Sequence, residues 1–259
     1  MAARSFDERW QAAVAAELAA RPLVPGVHLA EADLAGLPAP VRRYVLASGA
    51  VGKPRPSNLR LELDALMYRK PRGAGMPATS VQLNWFGRPT RLFLMKARMF
   101  GLPVRALHVY REEQATFQVR AAGMMTMVDM EGEEISRAET VTVLNDMCVF
   151  APGALTDPRL AWTPVDDRSA RVTLTNGPWQ VGATLLFDER DELVDFWSDD
   201  RPESSDGTTV ARRWNTPLSE YRDVGGLRLA THGSAVYARP EGPFTYGEFT
   251  LRAIAFDVI

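Results

Sequence analysis

Arg213-Trp214-Asn215-Thr216-Pro217 runs through Tyr221-Arg222-Asp223-Val224-Gly225-Gly226 into two long stretches, residues 227–237 and 244–258. Leu227, Leu229, Ala235 and Tyr237 alternate with Arg228, His232 and Ser234, the period of two expected of a strand with one covered face. The stretch reads as strand, turn, strand, turn, strand. It is antiparallel sheet and contains no catalytic motif, so the sequence speaks for an architecture before it speaks for an activity.

The same pattern extends upstream. Leu59, Leu61, Leu63, Ala65 and Met67 alternate with Arg60, Glu62 and Asp64, and Val81, Leu83 and Trp85 alternate with Gln82 and Asn84. Gly87-Arg88-Pro89-Thr90 turns the chain into Phe93, Met95, Ala97 and Met99. Residues 104–110 pair with 116–121, residues 171–175 pair with 179–187 through Asn176-Gly177, and 193–197 follow a polar turn. One helix interrupts the meander near 134–150, where Ile135, Ala138, Val141, Leu144, Met147 and Cys148 recur at helical spacing before Pro152-Gly153. Ser5-Phe6-Asp7-Glu8 is a capping-box pattern opening a helix with Phe6, Trp10, Val14 and Leu18 on one stripe. A short helix over 40–47 stops at Gly49, and residues 202–209 form a polar loop suited to mobility. The expectation is a mainly β chain with helices (α+β), a strongly curved antiparallel half-barrel of about ten strands with an inserted covering helix. An N-terminal helical segment, 1–36, precedes a single sheet domain, 37–259.

With 259 residues, 46% hydrophobic, the chain can bury a substantial core. A formal net charge of −2 with mixed signs gives no field that favours nucleic acid. The single cysteine, Cys148, excludes an internal disulfide. No apolar run is long enough to span a bilayer as a helix, and Asp7, Glu8, Arg9 and Glu17 interrupt what a signal peptide would keep apolar. Cytoplasmic residence is the expectation. The N-terminal stripe reads as a helix packed on the sheet, because its polar face is less basic than that of a membrane-surface helix.

Glu139 and Asp146 lie seven apart, on one side of the predicted helix with a rise of roughly 10 Å between them. That spacing suits solvated helix surface or pairing with arginines from the sheet better than a catalytic carboxylate pair. Arg201 is a further polar candidate. His28, His108 and His232 form no metal motif, His108 reads as a structural histidine, and no nucleophile elbow is present; no metal or cofactor is expected. Arg42, Arg43, Lys53, Arg55 and Arg60 lack the interleaved aromatics of a nucleic-acid site. Methionine is abundant around 124–130, which fits either a deformable ligand wall or a core that needs gap fillers. If Trp85, Phe93, Met95, Phe117, Met127, Trp179, Trp197 and Trp214 converge on the concave face, they line an apolar pocket.

Leu37-Pro38, Pro40-Val41, Arg43-Tyr44, Ser48-Gly49 and Gly52-Lys53-Pro54-Arg55-Pro56 resemble the opening of an uncharacterised bacterial family, catalogued under unknown-function labels 6544 and 6920. The helix with Ala138-Glu139 and Leu144, the exit Ala151-Pro152, Trp162, and the closing Trp214, Thr216-Pro217, Tyr221 and Gly226 agree with it in order. Thr142 and Asp146 stand where the family helix tends to carry an arginine and a second glutamate. The family implies no activity. Its element order is similar to that of lipoprotein carriers of the LolA and LppX kind, half-barrels that hold acyl chains under helical lids.

The functional expectation is a soluble binding protein for a hydrophobic or amphipathic small molecule, lipid or polyketide-like. Two alternatives stand beside it. One is a noncovalent cyclase, isomerase or hydrolase using Glu139 or Asp146 as acid or base and Arg201 to hold an anionic group; the other is a structural or interaction protein with a filled core.

Overall fold

Local sequence rules start and stop the helices. The computed structural model describes residues 5–23, 26–205 and 208–259. Ser5 caps α1 (Phe6–Ala20): its hydroxyl accepts from the Glu8 N–H at 3.2 Å, and the Glu8 carboxylate accepts from the Ser5 N–H at 2.8 Å. That is the reciprocal capping box the sequence announces. α2 (Ala39–Ala47) carries Pro40 in its first turn and ends before Gly49, whose φ of +73° only glycine adopts without strain.

The strands then follow as β1 (Asn58–Met67), β2 (Met76–Trp85), β3 (Thr90–Met99), β4 (Leu102–Arg111), β5 (Gln114–Ala121) and β6 (Met125–Glu131). α3 (Glu133–Phe150) separates them from β7 (Leu160–Asp166), β8 (Ser169–Asn176), β9 (Trp179–Phe187) and β10 (Leu193–Ser198). β11 (Glu203–Ser205), β12 (Thr208–Val210), β13 (Trp214–Asn215), β14 (Leu218–Val224), β15 (Leu227–Arg239) and β16 (Gly242–Phe256) complete the described elements.

Thirteen strands lie side by side in the order β6-β5-β4-β3-β2-β1-β16-β15-β13-β10-β9-β8-β7, with β14 also paired to β15. Every pairing is antiparallel. The last strand pairs with the first, joining two meanders at the middle of the sheet. The outermost strands, β6 and β7, are the two that flank α3 in sequence. The sheet therefore curls into a half-barrel, and the helix between its edges packs across the concave face against β5, β9, β15 and β10.

The sheet has fourteen strands where about ten were expected. β7 escaped notice because Pro164 breaks its pattern; it is an edge strand, where a missing N–H is tolerated. The polar loop at 202–209 holds the β11–β12 ribbon, tied down by Glu203, which pairs with Arg239 and, at 2.8 Å, with Arg212. The tip of that loop, residues 206–207, lies outside the described residues.

Helices cover both faces of the first meander. The α1 stripe of Phe6, Trp10, Val14 and Leu18 packs on Leu83, Trp85, Leu92, Leu94 and Leu107 on the convex side. On the concave side α3 is buried almost all round, with Val141, Leu144, Met147 and Cys148 inaccessible. The Tyr44 hydroxyl of α2 donates to the Cys148 carbonyl at 2.8 Å. Tyr110 on β4 links α3 to β8, accepting from Asn176 Nδ2 at 2.7 Å and meeting Thr140 Oγ1 at 2.8 Å.

Because Leu144 is fully enclosed between α3 and the sheet, Leu144→Ala is expected to lower the unfolding free energy by about 3 kcal/mol. Loss of the exposed cap in Ser5→Ala is expected to cost about 1 kcal/mol. Urea unfolding of both variants measures the difference; equal losses would contradict this placement of the helix.

Candidate functional site

Strand parity carries charge into the concave face. On β3 the set Arg91, Phe93, Met95 and Ala97 points one way while Leu92 and Leu94 lie under α1. Arg91 stands opposite Asn84 and Tyr110, and Phe93 stands opposite Gln82 and His108. Gln82, Asn84, Arg91 and His108 therefore share one patch of the inner surface. α3 lays Glu139 and Asp146 directly over it.

Arg91 joins the two carboxylates. Its Nε donates to Asp146 Oδ2 at 2.9 Å, its Nη1 to Glu139 Oε1 at 3.3 Å and its Nη2 to Gln82 Oε1 at 2.7 Å. Asp146 Oδ2 also accepts from Gln82 Nε2 and Asn84 Nδ2, both at 2.8 Å. The expectation of solvated helix surface is overturned, since Glu139 and Asp146 are both buried; the alternative of arginine pairing is what the fold uses. Burial raises the Asp146 carboxyl above its ordinary value, with Arg91 and Asn84 opposing. Burial would raise Glu139 too, but His108, Arg91 and Arg201 outweigh it and hold that carboxyl low.

His108 Nε2 stands against Glu139 Oε2, in contact but without the angles of an ordinary hydrogen bond. Burial pushes its pKa down to about 4, opposed by Glu139 and reinforced by Arg91 and Arg201. Cys148 is buried and its thiol is pushed up by burial, which leaves it inert.

Arg201, just beyond β10, approaches the same space from the other meander. Its Nε donates to Thr142 Oγ1 at 3.1 Å, its Nη1 donates to the Tyr237 hydroxyl, and its guanidinium lies 4.5 Å from the Trp214 ring centre. Trp214 Nε1 donates to the Tyr246 hydroxyl at 3.0 Å, and Asn145 Nδ2 donates to Thr216 Oγ1 at 2.6 Å. Thr216 thus ties the closing motif to α3, and Trp214 ties it to β16.

A cavity of about 230 Å³ opens between these walls. Glu139, His108, Thr142, Asp146 and Arg201 line it together with Leu63, Phe93, Met95, Phe117 and Phe249, and the two sets touch: the Phe117 ring lies 5.0 Å from His108 and the Arg91 guanidinium 4.8 Å from the Phe93 ring. Met67 and Leu218, both half-buried, line it as well.

Of the anticipated residues, Phe93, Met95, Phe117, Trp214, Glu139, Asp146 and Arg201 line this cavity. Four others do not. Trp85 lies on the convex face under α1, with the Arg21 guanidinium 5.7 Å from its ring. Met127 sits in an exposed stretch of the edge strand β6. Trp179 is at the β8–β9 turn, donating to the Glu113 carbonyl at 2.6 Å, and Trp197 lies beneath Arg213, 3.7 Å away. Sequence reasoning missed Gln82, Asn84 and Arg91 as site residues, and took His108 as merely structural. The available sign was Arg91, a charge in phase with Phe93 and Met95 on a strand buried on both faces. Among the described residues no group of His, Cys, Asp and Glu is arranged to hold a metal ion.

Fold and site define a half-barrel protein whose inserted helix and sheet enclose an amphipathic cavity. Residues 27–249 match the family of unknown function DUF6544, and the chain belongs to that family. No curated protein matches it. Among solved structures it is similar to a domain from Vibrio parahaemolyticus described as an outer membrane lipoprotein-sorting protein, at 7% identity and a TM-score of 0.44, over 77% of this chain and 85% of that one.

Two outcomes follow from the buried cluster. Arg91→Met strands two enclosed carboxylates and is expected to cost roughly 3–5 kcal/mol at pH 7 by denaturant unfolding. For His108 the folded-state pKa of about 4 lies below the ordinary 6.5, so the unfolded chain takes up the proton first as pH falls. Stability is therefore expected to decline between pH 6.5 and 4, by up to about 3 kcal/mol, and His108→Gln should flatten that limb of the stability profile.

Proposed function

We propose that this protein binds a small amphipathic molecule noncovalently, with the apolar part against Phe93, Met95, Phe117 and Phe249 and the polar end toward Arg201 and Thr142. The observation that carries this reading is that buried charged and apolar side chains line one cavity. A guanidinium stacked on Trp214 and held by Thr142 and Tyr237 keeps its charge and a fixed orientation, which suits an anionic or hydrogen-bonding head group.

Size bears on the ligand class. About 230 Å³ lies under the roughly 300–1,000 Å³ of sites that enclose drug-sized ligands. The occupant is therefore a short amphiphile, or one apolar portion of a larger lipid whose remainder stays outside the mouth. Acid–base turnover is less well supported, because Asp146 Oδ2 already accepts three hydrogen bonds and Glu139 is engaged by Arg91 and His108.

Thermal unfolding with decanoate and with decanol tests the proposal. Decanoate is expected to raise the melting temperature, with a stabilisation of about 2.7 kcal/mol at one hundred times its dissociation constant. Ala106→Phe, which fills the apolar end, should abolish the response to both ligands, and Arg201→Met should remove the preference for the carboxylate. Unchanged melting with either ligand would overturn the reading.

A further inference from the structure

The three hairpins β1–β2, β3–β4 and β5–β6 reverse at the same end of the half-barrel, because Met67 pairs with Met76, Met99 with Leu102 and Ala121 with Met125, while Ala78 pairs with Ala97 and Val104 with Ala121. The β3–β4 tip at Phe100-Gly101 and the β5–β6 tip at residues 122–124 are apolar where hairpin tips are ordinarily polar, and the β1–β2 tip at residues 68–75 is basic. Phe100 is 96% exposed and Met124 88% exposed, and Leu66, Leu102, Met125 and Met127 are exposed beside them. Few large side chains of a monomeric surface are so bare, and contiguous patches of this kind mark contact sites.

Phe100 adds an independent observation. It occupies the two-residue β3–β4 turn with Gly101, at φ of 51° and 80°. Such positions favour asparagine, aspartate or glycine, and a bulky aromatic there is a backbone strain that local stability does not explain. The turn fixes the phenyl ring outward, into solvent.

Charge singles out the partner. Residues 66–76, 98–103 and 121–127 hold Arg69, Lys70, Arg72 and Arg98 and contain no aspartate or glutamate. The adjoining β15–β16 hairpin turns at the same end and carries Glu241 and Glu248, of which Glu248 already accepts from the Tyr68 hydroxyl at 2.8 Å. Arg69 reaches the neighbouring tip, with Nη1 3.8 Å from Met99 Sδ, so the basic and apolar tips form one surface. Bare apolar side chains with cations on the neighbouring tip match the interface of an anionic bilayer, where rings and thioethers enter the acyl boundary and guanidinium groups meet lipid phosphates.

We propose that this rim is a docking surface for anionic phospholipid membrane. It stands on its own geometry, whether or not the cavity holds a ligand. The concave cluster of Ala65, Ala78, Met95, Ala97, Val104 and Ala106 packs with Met67, Met76 and Met99 between the cavity and the tips.

Co-sedimentation of the full chain with vesicles decides the matter. Vesicles of equal parts phosphatidylcholine and phosphatidylglycerol are expected to carry the protein down, and pure phosphatidylcholine much less. Phe100→Asp combined with Met124→Asp should weaken binding about tenfold or more. Glutamine at Arg69, Lys70 and Arg72 should lose about fivefold per charge, and Val165→Asp, at the exposed β7 edge, should change nothing. The substituted tips are exposed, so circular dichroism should match the parent. Absence of sedimentation with anionic vesicles, or equal sedimentation of the tip variant, would overturn the proposal. So would self-association in analytical ultracentrifugation that the tip variant removes, since it would make a second copy the occupant. Decanoate stabilisation without vesicle binding would defeat the docking surface and leave the cavity reading intact.

Discussion

One guanidinium holds the inner architecture in register. Arg91 on β3 reaches Asp146 and Glu139, two turns apart on α3, and Gln82 on β2. An apolar helix in an apolar trough can slide or rotate with little change in buried area. Fixed donors and acceptors allow a single seating, because any shift would leave a buried charge without its partner. The cluster contributes mainly position, since the desolvation of three charged groups offsets much of their attraction.

That seating explains the cavity beside it. α3 lies over β4, β3 and β2 through polar contacts at Tyr110, His108, Arg91 and Gln82, and it leaves the stretch toward Met95, Ala97 and Met67 to be lined by small residues and flexible thioethers. Ala106 lines the cavity and makes room that leucine would fill. The convex side stays rigid because α1 covers Leu83, Leu92 and Leu94, so the strands beneath the polar cluster are packed on both faces.

Much of this architecture was legible. The alternation at Leu227, Leu229 and Tyr237 and at Leu59, Leu61 and Leu63 located strands, and the Ser5 capping box located α1. The family was readable from Leu37-Pro38, Trp214 and Thr216-Pro217. The site was only half legible, for a physical reason. Alternation on β2 states that Val81, Leu83 and Trp85 share a face and that Gln82 and Asn84 share the other, but both faces are covered, and what covers each lies far away in sequence. α1 took the apolar face, so Trp85 went outside and the amides went in. Glu139 and Asp146 were found because their spacing belongs to one helix; Arg91, their partner, is 48 residues from Glu139 and became visible only through strand parity.

A helix pinned by Arg91 leaves an open amphipathic cavity, and the role proposed for it is to hold a small molecule. Native mass spectrometry of the protein after incubation with a bacterial lipid extract tests it most directly. A discrete adduct of low mass that is released when the protein is denatured is the expected result. A spectrum containing the bare chain alone would contradict it and leave the half-barrel as a filled scaffold for other contacts.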